Sequence, residues 1–399
     1  MIEYDEALRL VLEALPANAL ATERVPLLDA IGRFTASPVV SDRSYPPFDR
    51  ATMDGYAVRL SDLDSDRPIA ISATIFAGDA QRSFDSPVRI MTGAAVPVGA
   101  DCVIPREEVD ESQGDVISLS PKARISTGRN IARCGEDLMP GELIFPAGTQ
   151  IDGTMIGLLA AIGESHPLCV VSPRITIVST GNEIVSIDDK PQPTQIRNSN
   201  VATLQAFFRR MNVPVQRSEH LRDDAASATP VLEECLHTDL LILSGGVSAG
   251  DADFVPGVLR ALGVQQIFHG VAIKPGKPIW FGYRDVDRHR TLVFALPGNP
   301  VAVQVALPLF IEPLLRRWHG APLSSDLYLP LVGEARPDTR RMQILPGRLI
   351  SGPHPGVEIL KTNGSGDIRA SVGSDGLVFL ERSWVPGDTV RFRLHGGGR

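Results

Sequence analysis

Leu240-Leu241-Ile242-Leu243-Ser244-Gly245-Gly246-Val247-Ser248-Ala249-Gly250-Asp251-Ala252-Asp253 is a short apolar run that stops at a polar, glycine-bearing turn. Aliphatic runs of this length bounded by turn residues read as buried strands. A helix is expected next, over Val255–Leu262. The same grammar recurs on both sides. Ile175–Ser179 runs into Thr180-Gly181-Asn182-Glu183, and Leu292–Leu296 runs into Pro297-Gly298-Asn299-Pro300. Each turn is expected to lead into a helix. Asn200 reads as the N-cap of one that carries Val201, Leu204, Phe207, Phe208 and Met211 at helical spacing. Pro300 suits the first turn of Val301–Trp318, where its missing N–H costs nothing. Strands alternating with helices predict a parallel sheet. Ligands bind such sheets at the carboxyl ends of the strands. A Gly-rich turn there leaves backbone N–H groups free to face an anion, and the next helix adds its positive end. Three such turns, with Lys274-Pro275-Gly276-Lys277-Pro278 between the second and third, describe a site for a ligand with phosphates.

Outward from this α/β stretch the pattern changes. Tyr4, Leu8, Val11, Leu12 and Leu15 share one helical face, so residues 4–15 are expected to be an amphipathic helix that Pro16 ends. Residues 16–173 are rich in Pro and Gly, with short apolar runs. Val88–Met91, Cys102–Ile104, Val116–Leu119, Glu142–Phe145 and Leu168–Val171 read as strands, and Gly153–Ile162 as a helix. Beyond Pro322 short strands return at Leu327–Val332, Gln343–Leu345, Leu377–Leu380 and Thr389–Leu394.

At 399 residues the chain is too long for one ordinary domain. A formal net charge of −8 argues against a general nucleic-acid or membrane-surface role. Cys102, Cys134, Cys169 and Cys235 are far apart, which argues for a reduced, cytoplasmic protein and against a zinc site. The start is acidic and then amphipathic, unlike a signal peptide. The most apolar stretch, Leu292–Leu315, carries four prolines and reads as strand, turn and helix rather than a membrane span.

Several side chains suit chemistry. Glu183, Asp223 and Asp253 stand near expected strand ends, and such carboxylates suit Mg²⁺ bridging to substrate phosphates. Helix capping is the structural alternative for Asp251 and Asp253. Lys274 and Lys277 flank Pro275-Gly276, which restricts the backbone between them, and paired ammonium groups suit an oxyanion. The alternative is a solvated lysine turn. Residues 44–58, Arg89–Ala94 and Arg129–Asp137 each read alone as structural turns.

Together these segments resemble the molybdopterin molybdenumtransferase family, bacterial MoeA and the gephyrin E domain. PPFDRATMDGYAV (46–58), IMTGAAVPVGAD (90–101), GRNIARCGEDL (128–138), STGNEIV (179–185), SGGVSAGDADF (244–254), AIKPGKPIWFG (272–282) and LPGNPVAV (296–303) occur in the family's order. The resemblance implies insertion of molybdenum from molybdate into adenylylated molybdopterin, with release of AMP and help from Mg²⁺. It implies a homodimer, and transient contact with the molybdopterin adenylyltransferase and molybdoenzyme maturation factors. It implies a multidomain α/β plus β fold. Residues 1–45 with 141–172 would form a linking domain, 46–140 a mainly β domain, 173–322 an α/β domain similar to the adenylyltransferase fold, and 323–399 a small β domain.

Carried over position by position, the resemblance gives catalytic roles to Asp54, Thr92, Asp137, Glu183, Asp223 and Asp253, the last three also as metal ligands. Substrate binding falls to Ser244, Gly245, Gly246 and Ser248, to Lys274 and Lys277, and to Pro297, Gly298, Asn299 and Pro300. In the tail Arg341 and Ser365 match residues implicated in holding molybdate. The chain departs from the pattern at Gly270, where the family often has lysine, at Ala302, often serine, and at Ala132, often arginine. Two alternatives share parts of this pattern. One is a paralogue that handles nucleotides or pyrophosphate without metal insertion; the other is a non-catalytic scaffold.

Overall fold

The computed structural model describes residues 1–16, 21–63, 67–112, 114–121, 123–247, 254–364 and 366–396. The chain forms two compact units. Met1–Ser37, Ala147–Ile156 and His166–Arg399 make the first; Pro38–Pro146 and Gly157–Ser165 make the second.

The first unit begins with helix α1 (Tyr4–Glu13), close to the expected 4–15. Its centre is a six-stranded sheet. In chain order the elements are β1 (Ile175–Thr180), α2 (Ser199–Arg210), β2 (Val215–Leu221), α3 (Ala225–Cys235), β3 (Leu240–Ser244), α4 (Val255–Ala261), β4 (Gln265–His269), β5 (Ile273–Lys274), β6 (Trp280–Val286), β7 (His289–Leu296) and α5 (Pro300–Ala306). Five of the strands and β4 lie in the order β2-β1-β3-β7-β6-β4, while β5 belongs elsewhere. The three apolar runs that define the sequence pattern are therefore neighbours at the centre, paired in parallel. The outer pairings β7–β6 and β6–β4 are antiparallel, so the sheet is mixed rather than wholly parallel.

Alternation along the buried strands sorts the core into two layers. Ile175, Ile177, Ile242 and Phe294 pack with Leu204 and Phe208 of α2, Val303 of α5 and Tyr4 of α1. Val178, Leu241, Leu243 and Val293 face the other way, onto Leu232 of α3 and Leu259 of α4. The expected long helix Val301–Trp318 is three segments: α5, a π-helical turn Leu307–Ile311, and α6 (Glu312–Trp318). Pro308 and Pro313 lack the N–H that a single α ladder needs, which explains the change of register.

The tail forms β8 (Leu327–Val332), β9 (Met342–Ile350), β10 (Gly356–Ile359), β11 (Gly376–Leu380) and β12 (Thr389–Leu394). Pairings β9–β10, β10–β8, β8–β12, β12–β11 and β11–β9 close a ring, a small barrel around Val357, Val378 and Phe392. Strand β5 pairs in parallel with the start of β9, so the Lys274 segment is carried by the barrel strand.

The second unit is mainly β. One sheet has the order Thr74–Ile75, Val88–Ile90, Gly55–Val58, Cys102–Pro105. A second joins Ile69–Ala70, Val116–Leu119 and Val109–Asp110. Gly55 is required here, because a Cβ would sit 2.0 Å from the carbonyl oxygen of Ile104. The helix expected at Gly153–Ile162 spans Gly153–Ala161. Among the described residues no helix is long and apolar enough to cross a membrane, and none of the four cysteines is in a disulfide.

Candidate functional site

Strand β1 sends the chain to β2 on one side and, after α3, to β3 on the other. That reversal opens a crevice at the carboxyl ends of the strands. A cavity of about 250 Å³ lies there, lined by Thr180, Gly181, Glu183, Asn198, Asn200, Asp223, Ser244, Gly245, Gly246 and Gly298. The structure thus brings together Glu183, Asp223, Ser244, Gly245, Gly246 and Gly298 from the expected set. Gly245 and Gly246 have φ of 102° and 66°. A Cβ on Gly245 would come within 2.7 Å of Thr180 O and Oγ1, so glycine is what lets the second turn lie against the first. Asn182 and Asp223 exchange two hydrogen bonds, each backbone N–H donating to the other's side-chain oxygen at 3.3 Å.

Two expectations are corrected here. The first turn does not run directly into a helix. Ile184–Val185 pairs in parallel with Ile196–Arg197 before α2 begins. And Asn200 is not the N-cap: Asn198 is, accepting from Val201 N at 3.2 Å. Asn200 stands in the first turn, where its Nδ2 donates to Ser244 Oγ (2.9 Å) and Gly298 O (2.7 Å). Among the described residues neither Lys nor Arg lines this cavity.

The cations lie in a second cleft of about 540 Å³, whose walls include Lys274, Lys277, Pro297, Asn299, Ala302, Arg341, Gln343 and Thr362. Gly276 turns the Lys-Pro-Gly-Lys segment with φ 107°. Lys274 Nζ donates to Asp338 Oδ2 at 3.2 Å. Asp338 is held below the usual carboxylate range by the backbone N–H of Arg340 and then by Lys274. Lys277 has no ion-pair partner among the described residues. Asn299 Oδ1 accepts from Val301 N at 3.3 Å and caps α5, with Pro300 first in the helix. Gly270 does not line the cleft and has φ 97°, a conformation that would strain a lysine. Ala302 does line it, with a methyl where a serine would offer a hydroxyl.

In the second unit Thr92 donates to Asp54 Oδ1 from both its N–H (2.8 Å) and its Oγ1 (2.7 Å). Those two bonds, backbone first, hold the Asp54 carboxyl below its ordinary range. Asp137 is exposed, with its N–H on Tyr45 O at 3.0 Å. Its turn is ordered by Asp49, which accepts from Cys134 N (2.8 Å) and Arg133 Nη1 (2.6 Å). Ala132 is buried and paired with Arg50, and the guanidinium next door belongs to Arg133. Ser248, Asp253 and Ser365 lie outside the described residues, as does Asp251.

The reading of the sequence missed Asn200 as a site residue, and Thr180, Asp338 and Asp49. Asp49 was visible inside PPFDRATMDGYAV; Asp338 carries no motif.

Residues 2–163 match the MoeA N-terminal region (domain I and II), and residues 176–317 match the probable molybdopterin binding domain. A molybdopterin molybdenumtransferase of Haemophilus influenzae is 35% identical over 324 residues, covering 80% of this chain and 78% of that protein. One from Bacillus subtilis is 33% identical, covering 79% and 75%. The crystal structure of a molybdopterin biosynthesis moeA protein from Pyrococcus horikoshii superposes with a TM-score of 0.80 at 26% identity, covering 99% of this chain and 100% of that one. Identity at this level across most of both chains, with the same fold end to end, places this chain in the molybdopterin molybdenumtransferase family.

Proposed function

We propose that this enzyme of molybdenum cofactor biosynthesis takes molybdate and adenylylated molybdopterin, inserts the metal into the pterin, and releases AMP. The observation that carries the reading is the junction of two unlike cavities. Pro297 and Asn299 line the cationic cleft, while Gly298 lines the acidic one. A tetrahedral dianion suits Lys274, Lys277 and Arg341. A phosphate-bearing partner in the strand-end cavity would then lie one peptide away.

Mg²⁺ belongs to the proposal. Glu183 and Asp223 supply hard oxygen donors in the strand-end cavity, and among the described residues no thiol or imidazole lines it. Mg²⁺ takes one or two carboxylates and completes its shell with water and substrate phosphate, so the donor set fits. Bound there, the ion would supply the positive charge toward phosphate that the cavity's own side chains lack. Asp253 stays in this set on the sequence resemblance alone.

A homodimer is part of the same reading. Val40 and Leu143 pair across a two-stranded ribbon of the second unit and are 49% and 56% exposed, with Met139 at 54% nearby in sequence. Apolar side chains grouped in this way are what a subunit contact would cover. A cytoplasmic location fits four cysteines outside any disulfide.

The test is a defined mixture of protein, adenylyl-molybdopterin, molybdate and Mg²⁺, with AMP and molybdenum-bound pterin both measured. Molybdate-dependent formation of the two together is expected. A protein that releases AMP equally without molybdate contradicts the insertion reading.

A further inference from the structure

Gly298 is the partition between the two cavities, and one side chain outside any of the recognised motifs holds it. Asn200 Nδ2 donates to Gly298 O at 2.7 Å and to Ser244 Oγ at 2.9 Å. It therefore fastens the turn after β3 to the turn after β7. The orientation of the carboxamide is set by chemistry: Gly298 O can only accept, so the nitrogen must face it. The consequence is that Asn200 Oδ1 is buried and has no hydrogen-bond partner among the described residues. Leaving a buried acceptor unpaired disfavours this orientation. The two donations outweigh that, so tying the turns is what fixes the side chain. Thr180 Oγ1, under the same glycines, is also buried and has no hydrogen-bond partner among the described residues. Gly245 N also donates to Leu296 O at 3.0 Å, so Asn200 adds a side-chain tie to turns that the backbone already sets side by side.

We infer that Asn200 is a positioning residue for the insertion reaction, which keeps the group bound at the strand ends in register with the oxyanion held by Lys274 and Lys277. The inference rests on the function proposed above. Asn200 lines the strand-end cavity but touches neither the cationic cleft nor the lysines, so its loss should leave molybdate bound and misplace it against the group at the strand ends. A misplacement of about 1 Å between reacting groups costs roughly a hundredfold in rate.

Asn200→Asp and Asn200→Ala test this. Aspartate keeps the shape but replaces the donor with an oxygen that faces the Gly298 carbonyl. Both variants should lose roughly ten- to a hundredfold in kcat for molybdenum insertion. Half-saturating molybdate should stay within about threefold of the parent. Asn200→Asp should be at least as slow as Asn200→Ala. A parent-like kcat in Asn200→Asp overturns the inference, and so does a rise in half-saturating molybdate at unchanged kcat. A variant that melts early is re-measured at a temperature where it is folded, and the same kcat criterion applies. If the parent itself inserts no molybdenum, the proposed function fails; if the parent works and the variants work equally well, only the positioning role fails.

Discussion

Lys274 and Lys277 flank one Pro-Gly pair but carry different loads. Lys274 shares its charge with Asp338, whereas Lys277 faces the cleft without an ion-pair partner among the described residues. Lys277→Ala should therefore raise half-saturating molybdate by roughly tenfold or more, the effect of a lost charge-assisted contact. Lys274→Ala should do less. Asp338→Asn should lower half-saturating molybdate a fewfold by freeing Lys274, a modest effect because exposed ion pairs are weak. Titrating molybdate against the parent and the three variants checks the order. Equal effects of the two lysine substitutions would mean that Asp338 does not compete for the cleft's charge. Asp54 offers a separate readout in the second unit. Thr92→Ala removes one of its two hydrogen bonds, so the Asp54 carboxyl should titrate closer to its ordinary range, as carboxyl NMR shifts would report.

At the scale of the element, helix α2 shows how capping was legible and how it misled. Both Asn198 and Asn200 precede the apolar positions, and either can cap. The backbone chooses Asn198, which also donates to Ser179 Oγ at 2.8 Å. Asn198→Ala should cost about 1 kcal/mol of stability by denaturant unfolding. The three central strands were legible because each is buried on both faces: β3 and β7 carry the unbroken apolar runs 240–243 and 292–296, and β1 is interrupted only by the small Thr176 before Ser179. Strand β2, Val215-Gln216-Arg217-Ser218-Glu219-His220-Leu221, is an edge strand with exposed polar positions, and no apolar run marks it. Helix α3 hid behind Pro230 and its Ala, Ser and Thr residues. In the acidic cavity the carboxylates and glycines were legible. Asn200 was not, because its role depends on which turns the fold brings together.

Helix α6 ends on a buried histidine with its own pH signature. His319 stacks on Phe34 with ring centroids 4.6 Å apart, and its Nδ1 lies 2.7 Å from Leu315 O. Burial pushes its pKa down from 6.5 to about 4. A base that the fold keeps neutral stabilises above its unfolded pKa and loses that contribution as pH falls. The loss should run from about pH 6.5 to about pH 4 and reach on the order of 3 kcal/mol. His319→Gln should flatten the melting-temperature profile in that window. An unchanged acid limb would assign the loss to other groups.

For the whole molecule, the first unit is closed by a buried ionic cluster that joins its two chain ends. Arg393 of β12 donates to Asp326 (2.7 and 2.8 Å), to Tyr4 of α1 (3.1 Å) and to Pro308 O (2.9 Å). Arg391 adds a bond to Asp326. Burial alone would raise the Asp326 carboxyl, but the hydrogen bonds and charges of Arg393 and Arg391 bring it below its ordinary range. Asp326→Ala leaves buried Arg393 without its counter-ion and Arg391 with only the exposed Asp5 at 3.4 Å, and about 3–5 kcal/mol of destabilisation is expected in equilibrium unfolding. The barrel then presents β9 to strand β5, which is how residues far apart in sequence, Lys274 and Arg341, come to wall one cleft. Light scattering at micromolar concentration should return about twice the chain mass of 43.0 kDa; a clean monomer would remove the homodimer from the reading.

The central claim is that a cationic cleft and an acidic strand-end cavity, joined at Gly298, make one metal-insertion site. The direct measurement is AMP release and molybdenum incorporation by the parent and by Glu183→Ala at saturating molybdate and Mg²⁺. The account predicts coupled, molybdate-dependent formation of both products by the parent, and a loss of roughly a hundredfold or more in Glu183→Ala, the scale of a lost transition-state contact. Glu183→Ala turning over at the parent rate, or a parent whose AMP release ignores molybdate, would contradict it.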